Sequence, residues 1–289
     1  MSIWKRAWAV ILSFLMNFFF WLPIGYNIEN VPEKPDGSVR VVSFNVRCAD
    51  DTFGSVNVRS RFFIAMMEKY LPDSFGVQEA TAKWMKILQK RLGDKYACVT
   101  QMRDETDGAE ASAVFYLKDK YELTDSGTIW LSDTPDEPYT KYEDSGCVRI
   151  ATWATLKNKA SGKIYTHINT HLDHVSDEAR VLQVKALNKK ITELQKNGQP
   201  IICTGDFNAD EKSVVYDEMV TLLQDSKYLA ENSDSGITYH DYGKYTEGEP
   251  IDFIFLPEGT EVERYKIIDE MVSGMFVSDH YGISVDFYI

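Results

Sequence analysis

The chain has 289 residues, 44% hydrophobic and 26% charged, enough to bury a core in one large domain or two small ones. Its 31 Lys and Arg stand against 44 Asp and Glu, a formal charge of −13, which weighs against a tight binder of nucleic acid. A nuclease is not excluded, because bound metal ions bring positive charge of their own.

Lys5 and Arg6 precede an uncharged apolar run, residues 7–24, with Trp4, Trp8 and Trp21 placed as interfacial aromatics often are. Residues 1–28 are therefore expected to form a signal anchor with one transmembrane helix. A cleaved signal peptide is the competing reading, but no small-x-small site follows. The two basic residues ahead of the run place the rest outside the cytoplasm, giving a single-pass protein of the cell membrane. Residues 29–38 (ENVPEKPDGS) read as a tether. Residues 39–289 form the expected catalytic domain.

Within it, strand-like and helical runs alternate. Strands are predicted over 39–46, 96–101, 111–117, 127–131, 148–156, 163–170, 200–204, 251–256 and 283–287. Helices are predicted over 59–71, ending before Pro72, and over 81–92. A longer one begins at the N-cap Ser176, with Val181, Val184, Leu187, Ile191 and Leu194 as its apolar stripe. Such a series suggests two packed sheets flanked by helices. The four cysteines (Cys48, Cys98, Cys147, Cys203) form no CxxC pattern, and Cys98 and Cys203 read as small buried residues. Lys83, Lys86, Lys90 and Arg91 read as a solvated helix face.

Polar clusters stand where the apolar runs stop: Ser43-Phe44-Asn45, Gln78-Glu79, His171-Leu172-Asp173-His174, Gly205-Asp206-Phe207-Asn208, Ile251-Asp252 and Ser278-Asp279-His280. Turns after strands hold functional groups on a rigid scaffold. Carboxylates and an amide are hard ligands suited to Mg2+, with Mn2+ or Ca2+ as alternatives. Beside histidines they suit hydrolysis of phosphoesters. Each fragment alone reads equally as a turn, a surface pair or a helix start.

In order, however, these motifs resemble the endonuclease/exonuclease/phosphatase superfamily from residue 39 to the C-terminus, and the HLDH string with the segment 127–132 resembles a bacterial branch of it. The resemblance implies a DNase I-like α/β fold, a four-layer α/β/β/α sandwich. It implies Glu79 as the principal metal ligand, with Asn45 and Asp279 nearby. Asp206 and Asn208 would orient water and support the transition state, and Asp252 would orient His280. His171 matches the second histidine, with Glu110 as its acidic partner, and Arg149 matches a phosphate-binding arginine. Glu110 reads otherwise as a solvated charge and Arg149 as a sheet-edge salt bridge. His174 reads either as lining the substrate pocket or as a polar residue at a helix N-terminus. His167 reads as a core or sheet-face residue, and His240 as a candidate for reaching substrate.

The superfamily spans nucleases, lipid phosphodiesterases and sugar-phosphate phosphatases, which share a core and differ in loops. Acidic charge, and Arg149 as the sole basic residue noted in a motif, favour a small phosphoester or phospholipid headgroup. An extracytoplasmic nuclease acting on DNA or RNA is the alternative. A non-catalytic binding protein on the same fold is the remoter one.

Overall fold

The computed structural model describes residues 28, 31–50 and 54–289. The run at 7–24 lies outside them, and among the described residues no helix is long and apolar enough to cross a membrane.

In chain order the elements are β1 (Val39–Asn45), α1 (Val56–Tyr70), β2 (Ser74–Thr81), α2 (Ala82–Leu92), β3 (Tyr96–Val99), β4 (Glu110–Leu117), β5 (Tyr121–Trp130), β6 (Ile150–Asn158), β7 (Ile164–His171), α3 (Asp177–Gln195), β8 (Ile201–Asp206), α4 (Val214–Val220), β9 (Gln224–Asp225), α5 (Ser226–Leu229), β10 (Ala230–Ser233), β11 (Asp252–Leu256), β12 (Val262–Ile268) and β13 (Gly282–Phe287). They build two mixed sheets, ordered β10-β12-β13-β1-β2-β4-β3 and β5-β6-β7-β8-β11-β9. Three apolar clusters separate the layers. One packs α1 and α2 on the first sheet, one packs α3 and α4 on the second, and one fills the space between the sheets. This is the expected α/β/β/α order.

The helices follow their sequence signals. On α1, Phe62, Phe63, Met66, Met67 and Tyr70 are buried, and Leu71 ends the helix in a left-handed conformation before Pro72. On α3, Ser176 accepts from the Ala179 amide, and Val184, Leu187, Ile191 and Leu194 are buried while Val181 is only partly so.

Beside the apolar cluster between the sheets, a band of polar side chains also crosses from one sheet to the other. His167 bonds Ser74 at 2.9 Å and Thr204 at 2.8 Å, so it bridges the sheets, and Gln78 and Thr204 both donate to Asn169 Oδ1. A side chain on Gly76 would meet Asn169 Oδ1 at 2.4 Å, which leaves glycine as the residue that permits this approach. Burial holds His167 neutral, down at about 3.

Residues 31–38 are not a free tether. Lys34 pairs with buried Asp73, Arg40 donates to the Pro32 carbonyl at 3.1 Å, and Arg264 donates to the Glu33 carbonyl at 3.3 Å. One ion pair and two hydrogen bonds to backbone carbonyls thus pin a segment whose Pro, Gly and charge alone suggest slack.

Candidate active site

The C-terminal ends of β1, β2, β7 and β8 and the N-terminal ends of β4, β6 and β11 lie at one pole. There they surround a cleft of about 560 Å³, within the range of small-molecule pockets. A second concavity of about 520 Å³ lies at the opposite pole and holds none of the motif residues.

Glu79 owes its position to a β-bulge. The pairing of β2 with β4 slips between Val77 and Ala80, and Glu79 takes a left-handed φ of 60°. A bulge re-aims a side chain at the expense of local strain. Glu79 accepts from Asn45 Nδ2 at 3.0 Å and from the Cys48 amide at 2.8 Å. Burial alone would raise its pKa, but these donors together with His280 hold it down at about 2. Asn45 also donates to Asp206 at 2.9 Å, so one amide ties the two halves of the site together.

Arg47 Nε lies 3.5 Å from Asp279 and its Nη1 lies 4.0 Å from Glu79. A guanidinium between two carboxylates marks a place that favours a cation. The carboxylate oxygens of Glu79 and Asp279 suit a divalent metal, whose acidity would neutralise charge on a phosphoryl oxygen. Asn45, expected beside them as a ligand, instead turns its Nδ2 to Glu79 and accepts at Oδ1 from the Arg47 amide at 3.0 Å. The Cys48 thiol lies close to Glu79 and Glu110. Burial and the neighbouring Glu79 push its pKa up, which keeps it a protonated thiol and a poor ligand.

On the other wall His280 donates through Nδ1 to Asp252 at 2.9 Å, while its Nε2 lies 3.8 Å from Asp206. Burial opposes the charged imidazole, yet Asp252 and Asp206 carry its pKa up to about 10, so it is a cation at neutral pH. Burial and the charge of Asp252 raise the proton affinity of Asp206, against His280 and Asn45. Asn208 has a φ of 48°, a conformation that asparagine tolerates, and donates to His171 Nε2 at 3.0 Å and the Leu172 carbonyl at 3.1 Å.

Two expected roles change. His171 is neutral: burial and then Arg149, Arg103 and His280 hold its pKa well below the ordinary value. Since Nε2 accepts from Asn208, the proton belongs on Nδ1, which has no hydrogen-bond partner. Glu110, expected opposite His171, instead accepts from Arg103 at 2.6 Å and lies 4.0 Å from Arg149. The stronger charge of a guanidinium wins the carboxylate. His240 is buried against Tyr281, with ring centroids 3.9 Å apart, and it is Tyr239 that faces the cleft, 5.0 Å from the His280 ring. Arg149 donates to the exposed His174 at 3.1 Å, so His174 does line the cleft.

Arg47 and Arg103, both missed as site residues, join Arg149, so the cleft has three arginines and not one. Arg47 follows the Ser43-Phe44-Asn45 cluster by two residues, close enough for that cluster to point to it. Arg103 lies in a loop fixed by tertiary contacts: Trp130 Nε1 donates to its carbonyl at 2.9 Å, and its amide donates to the Glu110 carbonyl at 2.9 Å.

A family model described as Endonuclease/Exonuclease/phosphatase family matches residues 42–280. The chain belongs to that family. The endonuclease/exonuclease/phosphatase protein of Bacteroides vulgatus is 33% identical, with 87% of this chain and 99% of that one covered and a TM-score of 0.79. A mannosyl-6-phosphatase of Bacteroides thetaiotaomicron is 29% identical, covering 87% and 100%, with a TM-score of 0.81. The human nocturnin catalytic domain, 18% identical over 87% of this chain and 93% of that one at a TM-score of 0.68, shares the fold. No curated protein matches the chain. Family members are phosphoesterases.

Proposed function

We propose that the chain is a divalent-metal-dependent hydrolase of small phosphoesters, with a sugar phosphate the first substrate to try. The observation that supports this most is the cationic His280 standing between Asp252 and Asp206, across the cleft from the Glu79–Asp279 pair. Asp206, with its raised proton affinity, would orient water and draw its proton. Asn208 would donate to the charge that develops on the phosphoryl group, and His280 would stabilise it as a fixed cation. Such preorganised charge is the main source of rate in phosphoryl transfer, and no covalent intermediate is required. Magnesium is the first ion to try with this carboxylate pair, with Mn2+ or Ca2+ as alternatives.

The cleft volume favours a small substrate over a polymer, and the resemblance to a mannosyl-6-phosphatase points the same way. The test is a screen of the full-length chain with Mg2+, Mn2+, Ca2+ or EDTA against sugar phosphates, dispersed phospholipids and oligonucleotides. Metal-dependent release of phosphate from sugar phosphates is the expected result. Faster turnover of oligonucleotides than of every small phosphoester would replace this reading with a nuclease, and no turnover of any substrate would leave the binding protein.

A further inference from the structure

Beside the carboxylates of the cleft lies a cationic wall that the proposed chemistry does not use. Arg103 comes from the loop between β3 and β4, and Arg149 comes from the segment opening β6. Both converge on Glu110, at 2.6 Å and 4.0 Å. The Arg149 side chain is only 4% exposed, yet its Nε is buried without a partner, and the Nε of Arg103 makes no hydrogen bond and only a 3.4 Å ion pair with Asp104. A buried guanidinium with an idle donor costs folding free energy unless something completes it. Glu110 meets only part of the demand: it takes one Nη of Arg103, while Nη2 of Arg149 goes to the exposed His174 and the Nε of Arg149 stays unpaired.

We propose that Arg103 and Arg149 form a two-arginine clamp for the terminal oxygens of a phosphomonoester, and that the clamp makes the enzyme a phosphomonoesterase rather than a phosphodiesterase. The proposal rests on the phosphoester hydrolase reading. A phosphomonoester offers three non-bridging oxygens and about two negative charges near neutrality, as does a phosphorylated side chain. Guanidinium forks match such oxygens in bidentate, charge-assisted bonds. A diester has one charge, and its second ester oxygen stands where an anionic oxygen is needed. It would leave buried donors unpaired, which is how a polar site rejects a near-isostere. In the reaction the water oxygen bonds to phosphorus, the bond from phosphorus to the ester oxygen breaks, and the leaving alkoxide takes a proton. The products are inorganic phosphate and an alcohol. Glu110 is a positioning residue that holds the Arg103 fork toward the cleft.

The test compares the full-length protein with Arg103→Gln on p-nitrophenyl phosphate and bis(p-nitrophenyl) phosphate, and measures the binding of inorganic phosphate by calorimetry. The wild type should prefer the monoester. Arg103→Gln should lower kcat/KM for the monoester by about 10²-fold and for the diester by under about 3-fold, and weaken phosphate binding at least about 10-fold. Arg103→Lys, which keeps the charge and loses the fork, should behave nearly as badly, and it carries the test if Arg103→Gln does not fold. A wild-type preference for the diester, or equal losses on both substrates, overturns the clamp while leaving the hydrolase. If neither ester turns over with any metal, the hydrolase reading falls and phosphate binding alone decides. Absent binding, or affinity unchanged in the variants, then overturns the clamp as well.

Discussion

Asp252 and His280 meet through a 2.9 Å hydrogen bond inside the protein, and that contact keeps an imidazole charged where burial would strip its proton. Asp252→Asn should therefore remove the cation without moving the ring. We expect kcat to fall by about 10²-fold or more, with the alkaline limb of the pH profile shifted to lower pH. The sign follows from the raised pKa: His280 is charged below about 10 in the native site, and losing Asp252 lowers that limit. An unshifted alkaline limb would show that His280 does not act as the cation.

Glu79→Gln should weaken divalent-metal binding by at least about 10-fold, because a hard cation loses its anionic oxygen. Arg47→Gln should do the reverse. Its guanidinium sits beside Glu79 and Asp279, so removing it frees both carboxylates. Calorimetry with Mg2+ or Mn2+ reads both effects, and opposite signs are the diagnostic result.

Arg59 is fully buried on α1 and donates to the carbonyls of Gly54, Val46, Val277, Arg47 and Ala49. It thereby fixes the loop that presents Arg47 and the Cys48 amide. Arg59→Met leaves these carbonyls without their donor and should cost about 3 kcal/mol or more in urea unfolding. Turnover should fall with it, since Glu79 loses an ordered amide donor. Wild-type stability in this variant would refute the bracing role.

His167 makes stability depend on pH. Folded, it is neutral down to about 3, whereas free in the unfolded chain it titrates near 6.5. The unfolded chain thus binds a proton that the folded one refuses. The associated stability is complete above about pH 6.5 and declines as pH falls toward 3, by an amount on the order of 5 kcal/mol. His167→Gln should be less stable than wild type at pH 7.5 and lose less between pH 6.5 and 4. Denaturant melts across that range compare the slopes.

Much of this was legible from residues alone. The apolar stripe of α3 and the clusters at strand ends carried the layers and the motif positions, because burial and turn chemistry are local signals. β2 was not legible as a strand: its bulge breaks the alternation at Gln78-Glu79, which reads as a helix start, although that irregularity is what aims Glu79. β12 was missed because charged residues interrupt its Val262, Tyr265 and Ile267 positions. The replacement of His171 by Arg103 as the partner of Glu110 depends on a loop folded through Trp130, and no spacing in the sequence announces it.

The pinned segment 31–38 gives the molecule a direction. Lys34 and Asp73 hold it at the pole where β1 begins, whereas Asn45 ends β1 some 20 Å away at about 3.3 Å per residue. The chain therefore enters the described domain at the pole away from Asp206 and His280. Whatever precedes the segment, molecules that reach Asp206 and His280 approach from the opposite end of the sandwich, clear of the entering chain at 31–38.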